Sequence, residues 1–173
     1  MNWKLALPIL FLAPAMAFAQ AKGPSDPQIA GIVVTANQID VDAGKLAKSR
    51  SKNKEVQHFA QQMITDHTAV NKQAAALAKK LGVTPEDSET SKSLKQSAAD
   101  TAKKLKGLKG AAFDKAYVEN EVAYHQAVLD AIDKVLIPSA HNAELKGLIV
   151  KVRPAIATHL EHAKHLQASL VKK

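Results

Sequence analysis

Residues 53–82 read NKEVQHFAQQMITDHTAVNKQAAALAKKLG. Within that stretch Val56, Ala60, Met63, His67, Val70, Ala74, Leu77 and Leu81 recur at alternating steps of four and three, the spacing that lines one face of an α-helix. Asn53 stands where a side-chain oxygen can take up a free N–H of the first turn. Gly82 stands where the chain must leave the helix. A single amphipathic helix cannot bury its own apolar face, so this segment calls for partners of the same kind. His67 is the one polar member of the seam, and the reading of function starts there.

Working outward, Ser25, with Gln28 three residues on and Pro27 in the first turn, makes a helix start. Ile29, Ile32, Ala36, Ile39, Ala43 and Leu46 then fall on one face and predict a helix over about 27–52. Downstream, Thr84, Pro85 and Asp87 precede a weaker helix over about 88–106, with a thin apolar line at Leu94, Ala98, Leu105 and Leu108. Gly107 and Gly110 end it. A fourth helix is expected over about 111–137, with Val118, Val122, His125, Leu129, Ile132 and Leu136 as its seam and Pro138 as its stop. Asn142 opens the last, whose seam is Leu145, Ile149, Val152, Ile156, His159, Ala163, Leu166 and Leu170. No segment alternates with period two long enough to make a strand. The expected fold is therefore all-α, a four-helix bundle over 27–171 with a long crossover containing a short extra helix. Short links make each hairpin antiparallel, and the crossover is long enough to travel back along the bundle, so the second and fourth helices should run parallel.

The N-terminus reads as an address. Lys4 supplies a positive region, Leu5 to Phe18 are almost wholly apolar, and Ala17, Phe18 and Ala19 form a small-x-small cleavage site before Gln20. Residues 1–19 are expected to be a secretory signal peptide cleaved near Ala19, and 20–26 a short linker. The mature chain should then be free in the periplasm or secreted, with no transmembrane segment. The chain has no cysteine, which excludes disulfides, thiolate metal sites and a cysteine nucleophile. A formal charge of +8 favours anionic surfaces, but aromatic residues make up only 4%, and no stacking platform for nucleic acid is visible. Specific nucleic-acid binding is not expected. Lys92, Lys95, Lys103 and Lys106 form a partial stripe on the crossover, by default a solvated face, with weak docking to anionic envelope material as the alternative.

His67, His125 and His159 occupy seam positions in three helices whose other seam residues are apolar. In the expected topology His67 and His125 lie level within about 2 Å, and His159 and Asp40 join the same layer from the remaining two helices. Buried polar groups cost free energy unless paired, so the layer implies hydrogen bonding, water or a metal ion. Neutral imidazole is the commonest metal ligand. The candidate metal residues are His67, His125, His159, Asp40 and Glu121, with Met63, Asp66, Tyr117 and His162 as supporting positions. A thioether with imidazoles would suit copper, whereas imidazole with carboxylate would suit zinc, iron or nickel. The alternative is a polar core network that only sets register, with Asp40 accepting from His67 or His159. Met63 alone reads as core filler. His58 and His141 read as surface residues, and at least one of His162 and His165 is expected to be exposed. Pro154, inside the last helix, reads as a kink, or as a means of freeing the Val150 carbonyl.

The phrases DVDAGKLAKSRSKNKEVQHFAQQMITDHTAVNKQAAALAKKLGV, GAAFDKAYVENEVAYHQAV and RPAIATHLEHAKHL resemble an uncharacterised family of exported bacterial ferritin-like domains. The resemblance covers about residues 28–168 and implies a ferritin-like four-helix bundle in the periplasm, without a settled activity. The positions matching its recurring polar motif are Asp40, Gly44, Asp66, His67, Tyr117, His125 and His159. Di-iron proteins of that fold carry a glutamate and, three residues later, a histidine on each of two helices. At the level of the histidine layer this chain has neither pair: the second helix offers Met63, Asp66 and His67, and the last offers His159 and His162 without the carboxylate three residues ahead, which counts against a di-iron centre.

The favoured expectation is a non-enzymatic exported bundle, active in the envelope, in stress or through a partner, with a structural histidine layer. The alternative is a periplasmic metal-binding or redox protein using that layer, with copper, zinc or iron. No catalytic residue is expected.

Overall fold

The computed structural model describes residues 23–171, so the expected leader at 1–19 and its cleavage site lie outside the described residues. Six α-helices and one π-helical turn follow in order: α1 Asp26–Arg50, α2 Lys54–Leu81, α3 Glu89–Lys106, α4 Gly110–Ala131, the π-helical turn Ile132–Leu136, the single-turn α5 Ile137–Ser139, and α6 Ala143–Val171. Among the described residues there is no strand, and the fold is an all-α bundle of four long helices with α3 as the crossover. No described helix is long and apolar enough to cross a membrane.

The caps explain the boundaries. Ser25 and Gln28 form a reciprocal capping box at α1. Asn53 Oδ1 accepts from the Glu55 N–H at 2.9 Å, and Gly82 closes α2 in the left-handed conformation at φ 64°. Ser88 and Ser91 make a second capping box for α3. Asp26 supplies a cap from a distance: its two carboxylate oxygens accept from His141 N and Asn142 N, each at 2.9 Å, tying the start of α1 to the entry of α6.

Two apolar cores, one at each end, fix the directions of the helices. The first gathers Ala47 from the end of α1, Val56, Phe59, Ala60 and Met63 from the start of α2, Phe113, Tyr117 and Val118 from the start of α4, and Ala163 and Leu166 from the end of α6. The second gathers Ile29 and Ile32 from the start of α1, Leu129, Ile132 and Leu136 from the end of the fourth long segment, and Leu145, Ile149, Ile156 and Leu160 from α6. Hence α2 runs parallel to α4, and α1 parallel to α6. The polar residues Asn37, Asp40, His67, Glu121, His125 and His159 fall between the two cores, no more than 7% exposed.

Two details differ from the sequence reading. The buried stripe of α1 runs through Asn37, Asp40, Val41, Gly44 and Ala47, while Ile39, Ala43 and Leu46 turn toward α3 and line a groove with Leu94, Ala98 and Leu105. The helix has apolar residues for two neighbours, so a single seam could not be read from it. The fourth helix does not continue as α-helix to Ile137: from Ile132 its ladder widens, and Ile137 N–H bonds Ile132 O, five residues back. Pro138 brings no N–H to extend the ladder, so the register resets just before it. Pro154 and Val150 both lie on the exposed side of α6, away from the histidine layer.

The crossover is pinned at both ends. Gly31 permits it: a Cβ there would come within 2.0 Å of the Glu86 carbonyl oxygen, and Glu86 N–H bonds Pro27 O at 2.9 Å. At the other end Arg50 Nη2 donates to Lys106 O at 2.8 Å and Leu108 O at 3.0 Å. Of the basic stripe, Lys92 pairs with Glu89 at 2.9 Å and Lys95 with Asp87 at 2.7 Å, all on exposed surface.

Candidate metal centre

The heptad seam of α2 places His67 inward at mid-helix, and the equivalent seams of α4 and α6 do the same for His125 and His159. The three rings meet. Their centroids are 5.7 Å apart for His67 and His125, 5.2 Å for His67 and His159, and 5.5 Å for His125 and His159. From α1, Asp40 brings Oδ2 to 2.8 Å from His67 Nε2 and 3.2 Å from His125 Nε2. Glu121, one turn before His125, completes a second buried group with Asp40 and His125; in each trio the ligating atoms lie within 4.8 Å of one another.

Each imidazole hands one ring nitrogen outward to an acceptor. His67 Nδ1 donates to Asn37 Oδ1 at 2.7 Å; the Asn37 amide nitrogen is held by Val33 O at 2.7 Å, so only the oxygen can face the ring. His125 Nδ1 donates to the Glu121 carbonyl at 2.9 Å. His159 Nε2 donates to Asp66 Oδ2 at 2.9 Å. Carbonyl and carboxylate oxygens only accept, so these three contacts fix the tautomers. The remaining nitrogens, His67 Nε2, His125 Nε2 and His159 Nδ1, are buried without a hydrogen-bond partner, as are both oxygens of Asp40 and Glu121 Oε2. Two imidazole nitrogens left as lone-pair acceptors therefore face the Asp40 carboxylate at short range, off the line that a hydrogen bond needs. Lone pair faces lone pair unless a cation, proton or metal, lies among them.

The carboxylates divide. Burial pushes the Asp40 carboxyl up, but where a proton lies between it and the rings, the short contacts and positive charge of His125 and His67 outweigh burial and hold the group below its ordinary value. Glu121 goes the other way: burial first, then the charge of Asp40, push it well above the ordinary carboxylate range. Burial lowers His159, against the pull of Asp66, so its ring stays neutral and able to ligate. Burial, with the nearby carboxylates, raises Tyr117, whose hydroxyl is buried without a partner.

Of the other sequence candidates, Asp66 is the outer acceptor for His159, and Met63 is fully buried in the first apolar core. His162 is not brought to the layer: its Nδ1 bonds Gln62 Oε1 at 3.0 Å and its ring stands edge-on to Phe59 at 5.1 Å. Three-residue steps along α6 carry it around the helix away from His159. His58, His141 and His165 are exposed. Sequence reasoning missed Asn37. It lies three residues before Asp40 on the same helical face, and that spacing was the available signal.

No curated protein and no solved structure matches the chain. A family model described as a domain of unknown function, DUF4142, matches residues 12–166, and the chain belongs to that family.

Proposed function

We propose that this protein binds a metal ion in the polar layer, with His67, His125 and His159 as imidazole ligands, Asp40 as the carboxylate ligand and Glu121 beside it. One observation carries the reading: all three rings spend one nitrogen on an outer acceptor and leave the other buried and unpartnered in the interior. Metal-bound histidines characteristically donate their second ring N–H to a carboxylate or backbone carbonyl, which sets the tautomer and orients the lone pair. Three imidazoles with a carboxylate suit zinc, copper or iron, and a buried polar layer that joins four helices is where bundle metal sites are built.

The test is elemental analysis of protein exported in its native compartment, followed by Co(II) titration of chelator-treated protein. Stoichiometric metal and a four- or five-coordinate Co(II) spectrum, both lost in a His67→Ala variant that keeps its helical circular dichroism, are expected. The 2.8 Å approach of His67 Nε2 to Asp40 Oδ2 favours a second reading, a proton shared in a purely structural network. A metal-free protein with no affinity for Co(II) decides for that reading and against ours.

The apolar leader with its Ala17–Ala19 cleavage site supports a place outside the cytoplasm, in the periplasm or secreted. N-terminal sequencing of the protein from an envelope fraction tests it; a retained Met1 would defeat it.

A further inference from the structure

On the α5 side of the histidine layer, the interior is not filled. A pocket of about 140 Å³, partly open to the surface, is walled by Val128 of α4, by Ile132 and Leu136 of the π-helical turn, and by Ile149 and Ile156 of α6. His67 and His125 form its polar end, with Asn37 beside them. The exposed residues Thr90 and Ala127 lie at its margin, where the start of the crossover meets α4.

Size and lining together select the occupant. A buried water needs two to four polar partners, and most of this wall offers none. An engineered apolar cavity of about 150 Å³ stays dry and binds benzene or xenon. The space here is of that size, and it is also lined by the rings of His67 and His125, whose Nε2 atoms are turned to Asp40. Ile132 and Leu136 are the first and last residues of the π-helical turn, and such turns recur at functional sites.

We propose that this cavity is a binding chamber for one uncharged apolar molecule no larger than a benzene ring, held against His67 and His125. As a chamber serving the metal, it rests on the metal-binding reading; as a cavity with a ligand class, it does not.

The experiment uses the metal-free protein first. Xenon should produce a saturable 129Xe shift and move the methyl resonances of Ile132, Ile149 and Ile156, but not those of Ile29, which is buried in the same core without lining the cavity. Benzene should move the same methyls, and benzoate should not. Val128→Phe, which fills the space, should abolish both responses. If that variant does not fold, Ala36→Leu, a smaller filling from α1, takes its place. With Co(II) bound, xenon relaxation should quicken sharply. No saturable xenon shift in the wild type, or equal binding of benzoate, overturns the chamber whatever the metal does. Xenon binding with no uptake of Co(II) leaves the chamber standing and removes the metal centre instead. Co(II) uptake without quickened xenon relaxation overturns the placement of the ligand against the histidines.

Discussion

Asn37 accepts a hydrogen bond from His67 Nδ1 at 2.7 Å, and its own amide nitrogen is spent on the Val33 carbonyl one turn back. The amide cannot rotate to offer a donor without giving up that bond. A residue of α1 thus dictates which nitrogen of an α2 histidine carries the proton, and leaves Nε2 as a lone pair facing Asp40. His125 and His159 are set in the same way, by a backbone carbonyl and by Asp66.

Replacing Asn37 with leucine should release that constraint. With the metal reading, affinity for Co(II) should fall by about 10- to 100-fold, the usual effect of losing a partner behind a ligating histidine. Competition titration against a chelator measures it. An unchanged affinity in a folded variant would show that the orientation of His67 does not matter to the centre.

Glu121→Gln gives a pH test of the apo protein. Because the folded-state pKa of Glu121 is raised above 4.5, the native state holds a proton that the unfolded chain releases, and stability falls as pH rises through that window. The glutamine variant removes this fall. It should match the wild type near pH 4 and become progressively more stable than it toward pH 8, in chelator, by urea midpoints. Asp40 works with the opposite sign: its lowered pKa contributes stability that is present above 3.8 and lost as pH falls. A glutamine variant less stable than wild type at neutral pH would mean that Glu121 is buried as a useful ion.

Two glycines in helices should respond with opposite signs. Gly147→Ala meets nothing within 4 Å and should stabilise α6 by up to about 1 kcal/mol. Gly31→Ala gains the same helical propensity but drives its Cβ into the Glu86 carbonyl at 2.0 Å, and should cost about 1–3 kcal/mol by displacing the crossover. Thermal unfolding of both variants checks the pair; a stabilised Gly31→Ala would show that the crossover is free to move off α1.

Asp26→Ala should cost about 0.5–2 kcal/mol, the range for losing a helix cap, since His141 N–H and Asn142 N–H both lose their acceptor. Amide exchange localises the effect: protection should drop at the entry of α6 rather than within α1. Loss confined to α1 would assign Asp26 only a local role at that helix's own start.

The helices themselves were legible because their signals are local. Ser25 with Gln28, Asn53, and Gly82 act within a turn of where they stand, and the four-three spacing of α2 survives because that helix buries a single stripe. Even the shared height of the histidines follows from counting 1.5 Å per residue along helices of known direction. What escaped was non-local. In α1, apolar residues serve both the bundle and the crossover, so periodicity gave one face where the structure uses two. The π-helical turn left no composition signal apart from Pro138, because widening a helix is a matter of ladder register rather than residue type.

From its residues alone this chain specifies an all-α bundle with polar side chains in the middle of otherwise apolar seams, since capping, turn chemistry and helical period are properties of neighbours in sequence. Tertiary structure alone decides that Asn37 and Asp66, from other helices, claim ring nitrogens of His67 and His159, that one nitrogen of each of the three rings stays unpartnered, and that His67 and His125 line an apolar chamber. Hydrogen-bond direction and empty volume depend on how separate helices are rotated against one another, and no spacing along one helix records that rotation.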